Sequence, residues 1–199
     1  MKRKILTLDA NGRLVLKLPS GAVQPVSKPA EGSAFLLIDC SFSMAGGKIA
    51  QAKQGALTFA EDARKKSYLV GLISFATEAQ TLCLPEESFS SLAKGIETLE
   101  ASGSTNMADA INQATKELNS RWGRRVIIVA TDGMPDDQHL ALNAASRAKE
   151  ASIDIIAVGT DDADREFLAK LASRSELAIK VSPVELSSGI TKAAKMLPK

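Results

Sequence analysis

The residues with chemical potential begin at Asp39-Cys40-Ser41-Phe42-Ser43, where an apolar run over 35–38 stops at a carboxylate followed by two hydroxyls at alternate positions. In an extended backbone, side chains at i, i+2 and i+4 project to one side. Asp39, Ser41 and Ser43 can therefore aim their oxygens at a common point beyond the carboxyl end of a strand. Oxygen donors suit hard divalent cations. Two further segments offer matching groups: Ser102-Gly103-Ser104-Thr105-Asn106, a glycine-bearing loop ahead of a helical pattern, and Ala130-Thr131-Asp132-Gly133, where a second buried run ends at a carboxylate. The candidate metal ligands are Asp39, Ser41, Ser43, Thr105 and Asp132. Two carboxylates bring a divalent ion close to neutrality, whereas dedicated calcium cages gather more carboxylate and carbonyl oxygens, so magnesium or manganese is the expected ion.

The same residue types also serve local backbone needs. Asp39 could close the turn after its strand, Ser43 could cap the following helix, and Thr105 or Asn106 could cap the helix containing Ala108 and Ile111. Asp132-Gly133 is in addition an ordinary turn dipeptide. Capping and ligation are compatible, so both readings stand for single residues. Other chemistries fail on the residues themselves. Gly46-Gly47-Lys48 lacks a phosphate-loop frame, because Phe42 stands where the first glycine belongs and Ile49 where the Ser or Thr belongs. A phosphohydrolase of the haloacid-dehalogenase kind would need a second carboxylate where Ser41 stands, leaving no general acid. His139 is the single histidine, which removes histidine-based triads and metal centres; an exposed place on a helix is expected for it. Asp136-Asp137 and Asp161-Asp162 with Asp164 read as acidic helix starts. Cys40 adjoins the cradle but has no basic neighbour in sequence to activate it.

The elements that must position these groups follow from hydrophobic periodicity. Strand-length runs at 34–38, 68–73, 126–130, 153–158 and 177–181 alternate with helical stripes, and several are apolar on both faces, as in a parallel sheet covered by helices. The run 81–84 follows the second strand after too few residues for a crossover and is expected antiparallel beside it. Helical stripes are Ile49, Ala52, Ala56, Phe59 and Ala63; Leu92, Ile96 and Leu99; Ala108, Ile111 and Leu118; Leu140, Ala144 and Ala148; Phe167, Leu168 and Leu171; and Leu186, Ile190, Ala193 and Leu197. The expected fold class is α/β: a doubly wound, Rossmann-like, mostly parallel six-stranded sheet with one antiparallel edge strand. In such sheets ligands sit beyond the carboxyl ends of the strands where strand order reverses, which is where the three segments should meet.

Ahead of that domain, leucines alternate over 4–8 and 14–18 around Asp9-Ala10-Asn11-Gly12-Arg13, the pattern of a β-hairpin arm. Pro19, Gly21, Pro25, Pro29 and Gly32 then mark a connector with room for one short extended piece near Val23 and none for a helix. The expected division is an arm and linker over 1–32 and a main domain over 33–199. Lys and Arg number 25 against 23 Asp and Glu, a formal charge of +2, with no basic stripe interleaved with aromatics, so no nucleic-acid partner is expected. No run approaches the roughly 18 apolar residues of a membrane helix, and the N-terminal apolar piece is too short for a secretory signal. Cys40 and Cys83 lack metal or disulfide-framework spacing. A soluble, cytoplasmic chain with reduced thiols is the expectation.

Asp39-x-Ser41-x-Ser43, then Thr105, then Asp132-Gly133 resembles the metal-ion-dependent adhesion site of von Willebrand factor type A domains, over residues 33 to about 197. Gly46-Gly47-Lys48-Ile49, Ile73-Ser74-Phe75-Ala76 and Gly103-Ser104-Thr105-Asn106 are similar to the bacterial intracellular members. The resemblance implies that Ser41 and Ser43 ligate a magnesium or manganese ion directly, and that Thr105, Asp39 and Asp132 do so directly or through water. It implies a partner protein that supplies a Glu or Asp side chain to the open position of the metal, and no turnover. The competing expectations are a magnesium-dependent phosphohydrolase, or a structural subunit that docks through the 4–18 arm with a vestigial site. Oligomeric state and the partner's identity do not follow from these residues.

Overall fold

The computed structural model describes the backbone of residues 5–8, 14–17 and 23–25 and the whole of residues 30–198. In the N-terminal part, β1 (Ile5–Leu8) pairs antiparallel with β2 (Leu14–Lys17), Leu6 opposite Leu16 and Leu8 opposite Leu14. The extended piece expected near Val23 is β3 (Val23–Pro25), which pairs antiparallel with β2 to give a three-stranded sheet. The expected turn at residues 9–13 lies outside the described residues.

The remaining strands form a separate six-stranded sheet. They are β4 (Gly32–Asp39), β5 (Tyr68–Phe75), β6 (Ala79–Cys83), β7 (Arg124–Thr131), β8 (Asp154–Thr160) and β9 (Ala178–Val181), in the order β6-β5-β4-β7-β8-β9. All neighbours are parallel except β5 and β6. The antiparallel edge arises as expected, because three residues between β5 and β6 can turn the chain but cannot cross it over. The helices are α1 (Gly47–Lys65), α2 (Phe89–Glu97), α3 (Met107–Asn119), α4 (Gln138–Glu150), α5 (Arg165–Leu171) and α6 (Leu186–Met196). On one face α1 packs between α2 and α6; on the other α4 packs between α3 and α5.

Burial on both faces explains the unbroken apolar runs. Every residue from Gly32 to Asp39 is buried, as are Val126 to Thr131 and Ile155 to Thr160. Alanines supply the close helix contacts: Ala52, Ala56, Ala60 and Ala63 on α1, and Ala141, Ala144, Ala145 and Ala148 on α4, are all fully buried. Gly55 lets α1 approach α6, since a Cβ there would stand 2.9 Å from the Cα of Ser187.

β4 lies between β5 on one side and β7 on the other. The chain winds outward from β4 through β5 and β6, then returns to start again at β7. The reversal of strand order therefore falls between β4 and β7. Parallel pairing of Ile38 with Ala130 brings Asp39 and the Thr131-Asp132 step out at the same end.

Candidate metal centre

Asp39 is the last residue of β4 and is fully buried. Its Oδ1 accepts the backbone N–H of Ser41 at 2.8 Å, and its Oδ2 accepts the hydroxyl of Thr131, at the end of β7, at 2.5 Å. Burial is the largest influence on its carboxyl and raises the pKa above the ordinary carboxylate value. The bonds from Thr131 and Ser41 oppose that rise, and the charge of Asp132 adds to it. The Ser41 hydroxyl lies 2.9 Å from that of Ser43, which donates to Asp132 Oδ1 at 2.7 Å. Asp132 Oδ2 accepts the Lys48 ammonium at 2.6 Å. Four of the five candidate residues thus form one connected run of oxygens across the carboxyl ends of β4 and β7.

The expectation that three alternate side chains project from one extended strand is corrected here. The strand ends at Asp39; Ser41 keeps an extended backbone, while Ser43 lies in a 3-10 turn over Phe42–Met44. The turn folds Ser43 back over Ser41, so the two hydroxyls meet through a tight turn instead of through strand alternation. Phe42, at the turn's start, is left 70% exposed at the rim.

Thr105 is brought alongside by its backbone. Phe42 N–H donates to the Gly103 carbonyl at 3.1 Å, Ser102 N–H to the Cys40 carbonyl at 2.6 Å, and Asn106 N–H to the Ala76 carbonyl at 2.7 Å. Gly103 must be glycine: its φ is +68°, and a Cβ there would overlap Thr77 Oγ1, which accepts the Ser104 N–H at 3.2 Å. Asp136 Oδ1 accepts the Thr105 N–H at 3.0 Å, and the Thr105 carbonyl accepts the Asp136 N–H at 3.1 Å.

Local capping does not account for the set. The residue ahead of α1 is Gly46, not Ser43. Asn106, not Thr105, caps α3 by accepting the Asp109 N–H at 3.3 Å. Asp39 does close a turn at Ser41, as its position after a strand allows, yet among the described residues the Asp132 side chain meets Ser43 and Lys48 and caps nothing. The acidic pairs divide as well. Asp137 and Asp164 are the caps of α4 and α5, whereas Asp136 ties the Thr105 loop and Asp162 meets Lys48 at 3.2 Å.

The residues missed by sequence reasoning are Thr131, Lys48, Thr77 and, in its tethering role, Asp136. Thr131 was adjacent to a candidate carboxylate, a signal that could have found it. Lys48 acts across 84 residues, which nothing local reveals.

The donor set fits a divalent cation. All its side-chain donors are hard oxygens, two of them from carboxylates, and a cation already sits against Asp132. Among the described residues no group of three or more His, Cys, Asp or Glu forms a metal cluster, so any ion here would depend on the hydroxyls. Cys40 offers no soft ligand: burial, aided by the charge of Asp39, pushes its thiol up to about 12. His139 is exposed, within hydrogen-bond reach of Asn143 on the same helix. A cleft of about 870 Å³ opens nearby, lined by Cys40, Phe75, Thr77, Glu78, Glu100 and Ser102 among others, and by none of the five candidates.

The sequence profile described as the von Willebrand factor type A domain matches residues 35–192. Among solved structures, the chain is similar to the vWF domain of the type V pili tip protein of Porphyromonas gingivalis, at 12% identity and a TM-score of 0.74, covering 87% of this chain and 98% of that one. It is similar to the conserved hypothetical protein BatB of Bacteroides thetaiotaomicron at 20% identity, with a TM-score of 0.64 and coverage of 82% and 98%. A proximal thread matrix protein from the mussel byssus, with a zinc-occupied MIDAS motif, aligns at 16% identity and a TM-score of 0.68, over 84% of this chain and 46% of its own. The chain spans less than half of the mussel protein, and 34% of a pilus adhesin from Lactobacillus rhamnosus GG that it also resembles. No curated protein matches the sequence. These identities carry the fold; the profile match carries the family.

Proposed function

The chain belongs to the von Willebrand factor type A domain family, and from that premise we propose that it is a divalent-metal-dependent protein-binding module without catalytic turnover. The observation that carries the reading is the connected run Asp39, Ser41, Ser43 and Asp132 at the sheet's reversal point. Asp39, Ser41, Ser43, Thr105 and Asp132 would hold the ion, and magnesium or manganese suits their oxygens better than zinc, which favours nitrogen and sulfur. The bound ion supplies a hard electrophilic contact for a carboxylate. Asp39 and Asp132 would supply its counter-charge, and the hydroxyls of Ser41, Ser43 and Thr105 would supply neutral oxygen ligands. A Glu or Asp side chain from a partner protein fits that face, because an anion competes with water there better than a neutral group does. Exposed Phe42 lies beside it and offers an apolar contact.

The phosphohydrolase alternative is disfavoured by the same geometry. Ser41 stands where that chemistry needs a general acid, and the neighbouring cleft is lined by none of the candidate ligands. No helix among the described residues is long and apolar enough to cross a membrane. We propose a reducing, cytoplasmic setting on its two free, buried cysteines, which cell fractionation tests.

Titration calorimetry with magnesium and manganese on wild type and Asp39→Ala tests the site. Uptake by wild type and loss in the variant are expected, and equal uptake by both would rule it out. Partner binding then separates the metal from the bridge. Thr105→Ala should weaken the partner more than the metal, and binding indifferent to chelator would sink the carboxylate bridge.

A further inference from the structure

Lys48 is the second residue of α1, where the helix presents its positive end and a cation is electrostatically misplaced. Its ammonium is held there by two carboxylates, Asp132 Oδ2 at 2.6 Å and Asp162 Oδ2 at 3.2 Å. The two seats are unequal. The Asp132 side chain is 1% exposed and the Asp162 side chain 65%, with that of Lys48 between them at 24%. A buried carboxylate needs a cation or several donors. Asp132 has the Ser43 hydroxyl on one oxygen and Lys48 on the other.

From this geometry we infer that Lys48 is a tethered cation that competes with the divalent ion for Asp132, with Asp162 as its second seat. The inference rests on the metal-site reading above. A divalent ion on Asp132 repels an ammonium bonded to the same carboxylate, so the two cations exclude one another there. Lys48 can yield without leaving its helix, since Asp162 is already within its reach and is open to water. Without metal, Lys48 neutralises Asp132 and keeps the β4 and β7 ends assembled. With metal, Asp162 takes the displaced charge. The two residues therefore set metal affinity in opposite directions: Lys48 opposes uptake, and Asp162 favours it by drawing Lys48 away.

Manganese titrations by calorimetry and by electron paramagnetic resonance of free Mn²⁺ read this directly on wild type, Lys48→Gln, Asp162→Asn and the double variant. Lys48→Gln should bind Mn²⁺ about tenfold more tightly, the scale of losing one half-buried competing charge. Asp162→Asn should bind about threefold more weakly, and the double variant should match Lys48→Gln. Lys48→Arg keeps the charge and should keep the weak affinity. Melting with chelator supplies a second readout: Lys48→Gln should melt below wild type without metal and gain more on adding Mn²⁺. Unchanged or weaker affinity in Lys48→Gln overturns the competition. An equal loss from Asp162→Asn in both backgrounds overturns the second seat, because simple attraction of the ion to Asp162 would persist without Lys48. Absence of Mn²⁺ uptake in all the proteins overturns the underlying metal-site reading as well.

Discussion

At the scale of single residues, the site keeps charge where the fold would prefer none. Asp39 is fully buried, its two oxygens take one hydrogen bond each from Ser41 and Thr131, and among the described residues no basic side chain meets it. Its carboxyl is raised above 3.8 chiefly by desolvation. The folded state therefore holds this proton more tightly than the unfolded chain does. The stability associated with Asp39 is present below pH 3.8 and declines as pH rises through the raised value, until a cation compensates the charge. Asp39→Asn keeps an acceptor for the Ser41 N–H. Its amide can donate to Thr131 Oγ1, whose own proton can turn to the Gly133 carbonyl at 3.2 Å. In chelator at neutral pH, this variant should be more stable than wild type by about 1 kcal/mol, and metal should add nothing. Urea titrations with and without Mn²⁺ decide it, and a lower midpoint in chelator would contradict the account.

Element boundaries show where the chain accepts strain for other reasons. α4 ends in the two-bond motif that normally places glycine in the left-handed region: Ser152 N–H donates to the Lys149 carbonyl and Ile153 N–H to that of Ala148; after α1, Ser67 N–H donates to the Arg64 carbonyl. Ser152 has φ of +59° and Ser67, after α1, +62°. A Cβ in that region costs energy that glycine avoids, partly offset by glycine's freedom when unfolded. Ser152→Gly should therefore raise stability by about 0.5–1 kcal/mol with metal affinity unchanged, since α4 ends at the opposite end of the sheet from the candidate site. A shift of the urea midpoint at constant slope is the expected sign. Gly103 presents the opposite case: replacing it with alanine forces a side chain into Thr77.

For the whole molecule, the site and the hydrophobic core belong to one unit. The buried apolar cluster runs from Ala34 to Leu197, and all five candidate ligands sit on the six-stranded sheet and its loops. The three-stranded N-terminal sheet contributes no strand to it. A chain starting at residue 30 should bind Mn²⁺ within about twofold of the full chain, a change below roughly 0.5 kcal/mol. Calorimetry on both lengths checks this. If the arm serves the partner instead, truncation should weaken partner binding while leaving metal affinity unchanged.

The sequence by itself determined the strand and helix pattern, because burial on both faces of a parallel sheet requires unbroken apolar runs such as 34–38 and 126–130, and packed helices require stripes such as Ala52, Ala56 and Ala63. It also identified the antiparallel β6, since a short link admits no crossover, and it placed Asp39 and Asp132 at strand ends, where apolar runs stop at carboxylates. The tertiary structure decided what those carboxylates meet. That Ser43 turns back through a 3-10 turn, that Thr131 braces Asp39, that Asp136 holds the Thr105 loop, and that Lys48 reaches Asp132 all depend on which strand ends lie side by side. Periodicity reports the environment of each residue along its own element. The pairing of β4 with β7 joins residues about 90 positions apart, and no local pattern carries that distance.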